Sequence, residues 1–123
     1  MANQIETVVQ TISKKTKKRQ KTCNPIYDIF YSELYQDQKA YLTFIQTASV
    51  NYLFTEYYRN MQVVVFGKIQ TDSFSEVSRR YDRELAIWKA KTIVEILNNK
   101  QVLLLLSEEQ KIELSIISKI VSE

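Results

Sequence analysis

The sequence predicts an all-α fold, a small bundle of about four helices preceded by a basic, helical N-terminal arm. Three observations predict it. The 123 residues include one Gly and one Pro. Hairpins and tight turns need residues that tolerate positive φ, and this chain has almost none to offer. Apolar residues recur at threes and fours along most of its length, which is the period of a helix face. The charge is lopsided: residues 1–25 hold six of the 17 Lys+Arg and one of the 14 Asp+Glu, so a basic arm precedes a slightly acidic body.

The arm has two parts. In residues 3–13, Ile5, Val8, Val9 and Ile12 are spaced i, i+3, i+4, i+7, one face of a short amphipathic helix. Such a helix is too short to persist alone in water. It needs its own body, a neighbouring copy or a ligand, and the neighbouring copy is the expected partner. The basic run follows, with Lys14, Lys15, Lys17, Lys18, Arg19 and Lys21 in eight residues that include no acid. Close cations repel, so a helix through the run is weak until an anion neutralises it. If it does continue, residues 3–22 span about 30 Å, close to one turn of a duplex.

Asn24-Pro25 ends the arm. Pro25 disfavours the α conformation at Asn24, and the same pair suits an N-cap followed by the first helical residue. The expected division is therefore 1–24 as arm and 25–123 as a body that folds without it.

In the body, residues 26–59 form the longest stretch without a breaker. Tyr27, Phe30, Leu34, Tyr41, Ile45, Ala48 and Tyr52 make a helical stripe, and Gln36-Asp37-Gln38 is the expected break or kink. Ten of the 14 aromatic residues lie between Tyr27 and Tyr58. Phe30, Tyr41, Phe44 and Tyr52 are expected in the core. Tyr27, Tyr31, Tyr35, Tyr57 and Tyr58 are too many hydroxyls to bury with partners, which places some of them at an interface. Residues 61–67 read as a buried helical end closed by Gly67. Ser73-Phe74-Ser75-Glu76 is spaced as a capping box opening the next helix. The stripe of that helix is Phe74, Val77, Tyr81, Leu85, Trp88, Thr92 and Ile96, and Asn98-Asn99 ends it. After the apolar run 102–106, Ser107-Glu108-Glu109-Gln110 is a second capping box. The last helix carries Ile112, Leu114, Ile116, Ile117, Ile120 and Val121 on more than one face, which suggests burial on two sides or contact between subunits.

The composition argues against an enzyme. There is no His, and Cys23 is alone, so imidazole chemistry, an internal disulfide and a cysteine zinc site are not available. A single Gly makes no phosphate-cradling loop. No cofactor and no metal is expected. Nor is a transmembrane segment, since no stretch approaches about 18 apolar residues.

A basic arm of this kind usually meets a polyanion. Nucleic acid held by its phosphates without base reading is the leading expectation, because no base-reading motif is present. An acidic membrane or protein surface and a solubilising tail are the alternatives. The residues themselves do not choose between DNA and RNA. A single arm grips weakly at physiological salt, so useful binding needs many copies, joined by Ile5, Val8, Val9 and Ile12 and by the ridge Tyr27, Tyr31, Tyr35.

In this layout of basic arm, Asn24-Pro25 joint and Tyr-rich helical body, the chain resembles the major coat proteins of filamentous archaeal viruses of the lipothrixvirus and rudivirus kind. The resemblance implies a helical arm that wraps double-stranded DNA in an A-like form. It implies a bundle that forms the wall of a helical filament, from identical or paired similar coat proteins, in a virion. By it, Lys14, Lys15, Lys17, Lys18, Arg19 and Lys21 are the phosphate contacts. The rival class is a cytoplasmic helical adaptor, a subunit of a ribonucleoprotein complex, or a protein inhibitor.

Overall fold

The computed structural model describes residues 4–18, 24–66 and 76–122, and these form six helices and no strand. In order they are α1 Gln4–Lys15, α2 Pro25–Ile45, α3 Val50–Phe66, α4 Glu76–Leu97, the single turn α5 Lys100–Leu103 and α6 Glu108–Ser122. The all-α expectation holds. The expected count of about four does not, because the 26–59 stretch is two helices and the leucine run forms a turn of its own.

Helix ends follow local chemistry. At α2, Pro25 occupies the first turn and the Asn24 side chain accepts the Ile26 N–H at 3.0 Å. At α6 the cap is reciprocal: the Gln110 N–H donates to Ser107 Oγ at 3.1 Å and the Ser107 N–H to Gln110 Oε1 at 3.0 Å, so two orphan donors of the first turn are satisfied. Asn99 caps α5 through the Gln101 N–H at 2.9 Å. The break in residues 26–59 falls at 46–49, with α2 passing unbroken through Gln36-Asp37-Gln38. Gln36 and Asp37 are exposed there, and polar residues on the wet side of a helix do not interrupt it. Ser49 restarts the chain as α3, its Oγ accepting the Tyr52 N–H at 3.1 Å and its carbonyl the Leu53 N–H at 3.0 Å. The Ser73 box and Gly67 lie outside the described residues.

α4 is the central helix and touches α1, α2, α3, α5 and α6, most extensively α3. Its buried residues are Ala86, Ala90, Thr92, Ile93, Val94, Ile96 and Leu97. The expected stripe through Tyr81, Leu85 and Trp88 is instead half-buried. A helix with neighbours on several sides buries a broad arc and not one stripe, and Ala86 and Ala90 let those neighbours approach. Around α4 the core gathers Tyr41, Leu42 and Ile45 of α2, Leu53, Phe54 and Tyr57 of α3, Val102 and Leu106 near α5, and Leu114 and Ile117 of α6. The Tyr41 hydroxyl donates to Glu56 Oε1 at 2.9 Å. Burial first, and then that carboxylate, push this phenol far above its ordinary range, so it stays neutral.

Several aromatic expectations are corrected. Phe44, expected in the core, is 56% exposed, and Tyr57, one of the five tyrosines of which only some were expected at an interface, is 2% exposed. Phe30 and Tyr52 are half-buried. The α3 end at Val63 and Val65 is exposed and not buried.

The largest correction concerns the arm. Ile5, Val9 and Ile12 belong to the same core, and Val8 packs partly against it. α1 contacts α2, α4 and α5. Its apolar face is therefore covered by its own body, and residues 4–16 do not stand apart from residues 25–123.

Candidate nucleic-acid interface

The sequence of α1 fixes where its cations lie. Glu6 sits in the first turn and Lys14 and Lys15 in the last, each favourable to the helix dipole. The Thr16 N–H and the Thr16 hydroxyl both bond the Ile12 carbonyl at 2.9 Å. The chain then leaves the helix, and residues 16–18 are irregular. The helix is present over Gln4–Lys15, but its conditional continuation through the basic run does not extend to residues 16–18. Mutual repulsion in the cationic run is the physical reason.

Lys14, Lys15, Lys17 and Lys18 are all exposed. They leave the bundle at a fixed place, because the opposite face of α1 is sealed into the core one turn earlier. Lys39 of α2 adds to this edge. Its ammonium donates to the Ser13 carbonyl and, at 3.2 Å, to Ser13 Oγ. It also lies 5.6 Å from the Tyr35 ring centre, within cation–π range. Lys39 thus satisfies a last-turn carbonyl of α1 and ties that helix to α2.

Beside this edge a groove of about 530 Å³ runs between the end of α1, the middle of α2 and α4. Leu34, buried, and Ile87, half-buried, are among its lining residues. Tyr31 and Tyr35, one helical turn apart, line the α2 wall, and Trp88 lines the α4 wall. Lys15, at the end of α1, Lys17, just past it, and Lys91 of α4 line the groove as well and are exposed. Glu84 is the one carboxylate of the lining, 3.8 Å from Arg80 Nε on the preceding turn. On the core side Trp88 meets Tyr41 edge to face, ring centres 6.4 Å apart.

The expected site residues thus part company. Lys14, Lys15, Lys17 and Lys18 share one surface, whereas Arg19 and Lys21 lie outside the described residues. Ile5, Val9 and Ile12 are unavailable to a neighbouring copy. Tyr27 is exposed at the start of α2, while Tyr31 and Tyr35 face the groove half-buried. Lys39, Trp88 and Lys91 were not expected there. The spacing of Glu84, Ile87, Trp88 and Lys91 on one face of a helix was the available signal, but nothing in it says which helix lies opposite.

Apolar surface remains uncovered elsewhere. Ile112, Ile116 and Ile120 line one exposed face of α6, and Leu104 is 80% exposed. Among the described residues no cluster of Cys, Asp or Glu is arranged to hold a metal ion, and no helix is long and apolar enough to cross a membrane. No protein-family model, no curated protein and no solved structure matches the chain.

Proposed function

We propose that the protein is a structural nucleic-acid-binding protein. It grips phosphates without reading sequence and works as many copies on one polymer, as a packaging or coat protein does. The observation that carries this reading is the basic edge, four exposed lysines at the end of a helix anchored in the core. Anchoring matters because cations held in place lose less freedom on binding than cations on a loose tail. Duplex DNA is the first candidate polymer, and a filamentous virion is the setting that the overall layout suggests. The grip differs from a wrapping arm. α1 is occupied by its own body, so phosphates meet an edge of the bundle. Contact between copies falls to surfaces left exposed, Tyr27 and the isoleucine face of α6 among them.

A salt series with labelled duplex DNA tests the reading. With Arg19 and Lys21 included, six phosphate contacts give a slope of log K against log salt of about −5. Replacing Lys14, Lys15, Lys17 and Lys18 with Gln is expected to reduce that slope to about −2 while leaving the helical circular dichroism unchanged. Duplex binding as tight and as salt-dependent as the parent's would overturn the reading.

The second reading is an adaptor, in a ribonucleoprotein complex or as a protein inhibitor. It is favoured by the exposed isoleucines of α6 on a body that is net acidic after residue 25. Electron micrographs with duplex DNA separate the two, since a packaging protein gives extended polymers and an adaptor a small fixed stoichiometry.

A further inference from the structure

We propose that the groove between Tyr31, Tyr35 and Trp88 is a binding site for an unpaired nucleobase, so that the protein holds single-stranded nucleic acid through base stacking as well as phosphate contact. This assignment rests on the nucleic-acid reading above and adds an unpaired strand as a second ligand beside the duplex named there.

Three features of the groove carry it. The first is aromatic content: two tyrosines and the indole line a single recess together with Leu34 and Ile87. Aromatic faces that take successive bases in turn are the usual platform for single strands, because every base has a π-face. The second is charge. Lys15, Lys17 and Lys91 line the groove against Glu84 alone, and Glu84 lies close to Arg80. Rings and cations lining one recess match the two halves of a nucleotide, a flat apolar base and a charged phosphate. An acidic peptide would satisfy the cations but would bring no flat group for the rings. The third is size. About 530 Å³ lies within the roughly 300–1,000 Å³ of small-molecule sites.

The geometry also separates strand types. In a duplex the base faces are stacked on one another. A double helix can touch Lys14, Lys15, Lys17 and Lys18 with its phosphates, but it offers no base face to rings recessed between two helices. A strand with unstacked bases can do both. The wall is held ready for it: Lys39 lies over the Tyr35 ring and is fastened to Ser13, and Tyr31 packs edge to face on Phe30 with ring centres 5.2 Å apart.

Trp88 is the only tryptophan in the chain, so its fluorescence reports on this groove alone. The full-length protein is titrated with a twelve-residue oligothymidylate, with an abasic strand of equal length, with a duplex and with oligoglutamate, while anisotropy of labelled strands reports binding itself. Oligothymidylate is expected to quench Trp88 saturably, and the abasic strand, the duplex and oligoglutamate to leave it nearly unchanged. Tyr35→Leu is expected to weaken oligothymidylate binding about tenfold, and Tyr35→Phe, which keeps the ring, less than about threefold. Circular dichroism verifies that both variants fold. Equal quenching by the abasic strand or by oligoglutamate overturns the site, as does equal weakening by the two Tyr35 variants. If duplex DNA binds and oligothymidylate leaves Trp88 unquenched, the groove assignment falls and the phosphate-binding reading stands. If no nucleic acid changes anisotropy, both fall.

Discussion

α1 and α6 are both short amphipathic helices, and their apolar residues are used differently. In α1 the apolar set is a single face, and Ile5, Val9 and Ile12 are all buried. In α6 there are two apolar faces. Leu114 and Ile117 enter the core and Val121 packs against it, while Ile112, Ile116 and Ile120 stay exposed. α6 therefore carries more apolar surface than its own fold covers, and α1 carries none to spare. Periodicity in a sequence tells that a face exists. Whether the chain itself covers that face depends on how many helices surround it.

The largest expected effect that breaks this comparison is Val9→Asp. Val9 is 1% exposed, and a carboxylate there has no partner within an apolar core. The cost should exceed about 4 kcal/mol, a large share of the roughly 5–15 kcal/mol that holds an ordinary domain folded. Urea denaturation followed by circular dichroism measures it. A variant that stays folded with its parent's midpoint would mean that α1 is a detachable arm after all. Deletion of residues 1–13 should act in the same direction, contrary to the expectation that residues 25–123 fold alone.

The next effect lies within α6. Ile117→Ala should cost about 2–5 kcal/mol. Ile116→Ser, on the adjacent residue but the exposed face, should change stability by less than about 0.5 kcal/mol. Equal losses from the two would erase the distinction between the faces of α6. Sedimentation of Ile116→Ser against the parent then shows whether the exposed face joins copies, in which case the variant stays smaller at high concentration.

The smallest effect sharpens the seam between α3 and α6. The Tyr58 hydroxyl donates to the Glu113 carboxylate. Burial, then that hydrogen bond and the charge of Glu113, push the phenol from its ordinary 10.0 up to about 12. The native state thus holds this proton more tightly than the unfolded chain does. The contribution is complete below pH 10 and is lost as pH rises from about 10 through about 12. Phenolate absorbance of the parent and of Tyr58→Phe isolates this late-titrating group. A parent curve with no tyrosine beyond those of Tyr58→Phe in that window would remove the contact.

Much of the fold was legible from local chemistry. The Asn24-Pro25 start, the Ser107–Gln110 box and the α4 end before Asn98-Asn99 all depend on residues within one turn, so a sequence contains the whole mechanism. The α1 face was legible as a face, but not its occupant. Tyr57 and Phe44 could not be sorted, because the more apolar of the two lies on the outer side of α2 and the more polar on the inner side of α3. The buried arc of α4 was misplaced because Ala86 and Ala90 carry little hydrophobic signal, although their small size is what admits neighbours. At the candidate site, Lys14, Lys15, Lys17 and Lys18 were legible as a charge run. Trp88, Lys39 and Lys91 became relevant only once α1, α2 and α4 were packed together.

The contact between α1 and α5 also sets an order of events during synthesis. Lys15 and Lys100 are 85 positions apart, so α1, which α2 can begin to cover early, must wait for α5 before its cover is complete. At about 5–20 residues per second the wait is on the order of ten seconds. Over that interval the part of the α1 face that α5 covers stays open on an unfinished chain. The long loop that must close makes the α1–α5 contact a late, non-local step. The lysine-bearing helix therefore reaches its final packing only after α5 has been made.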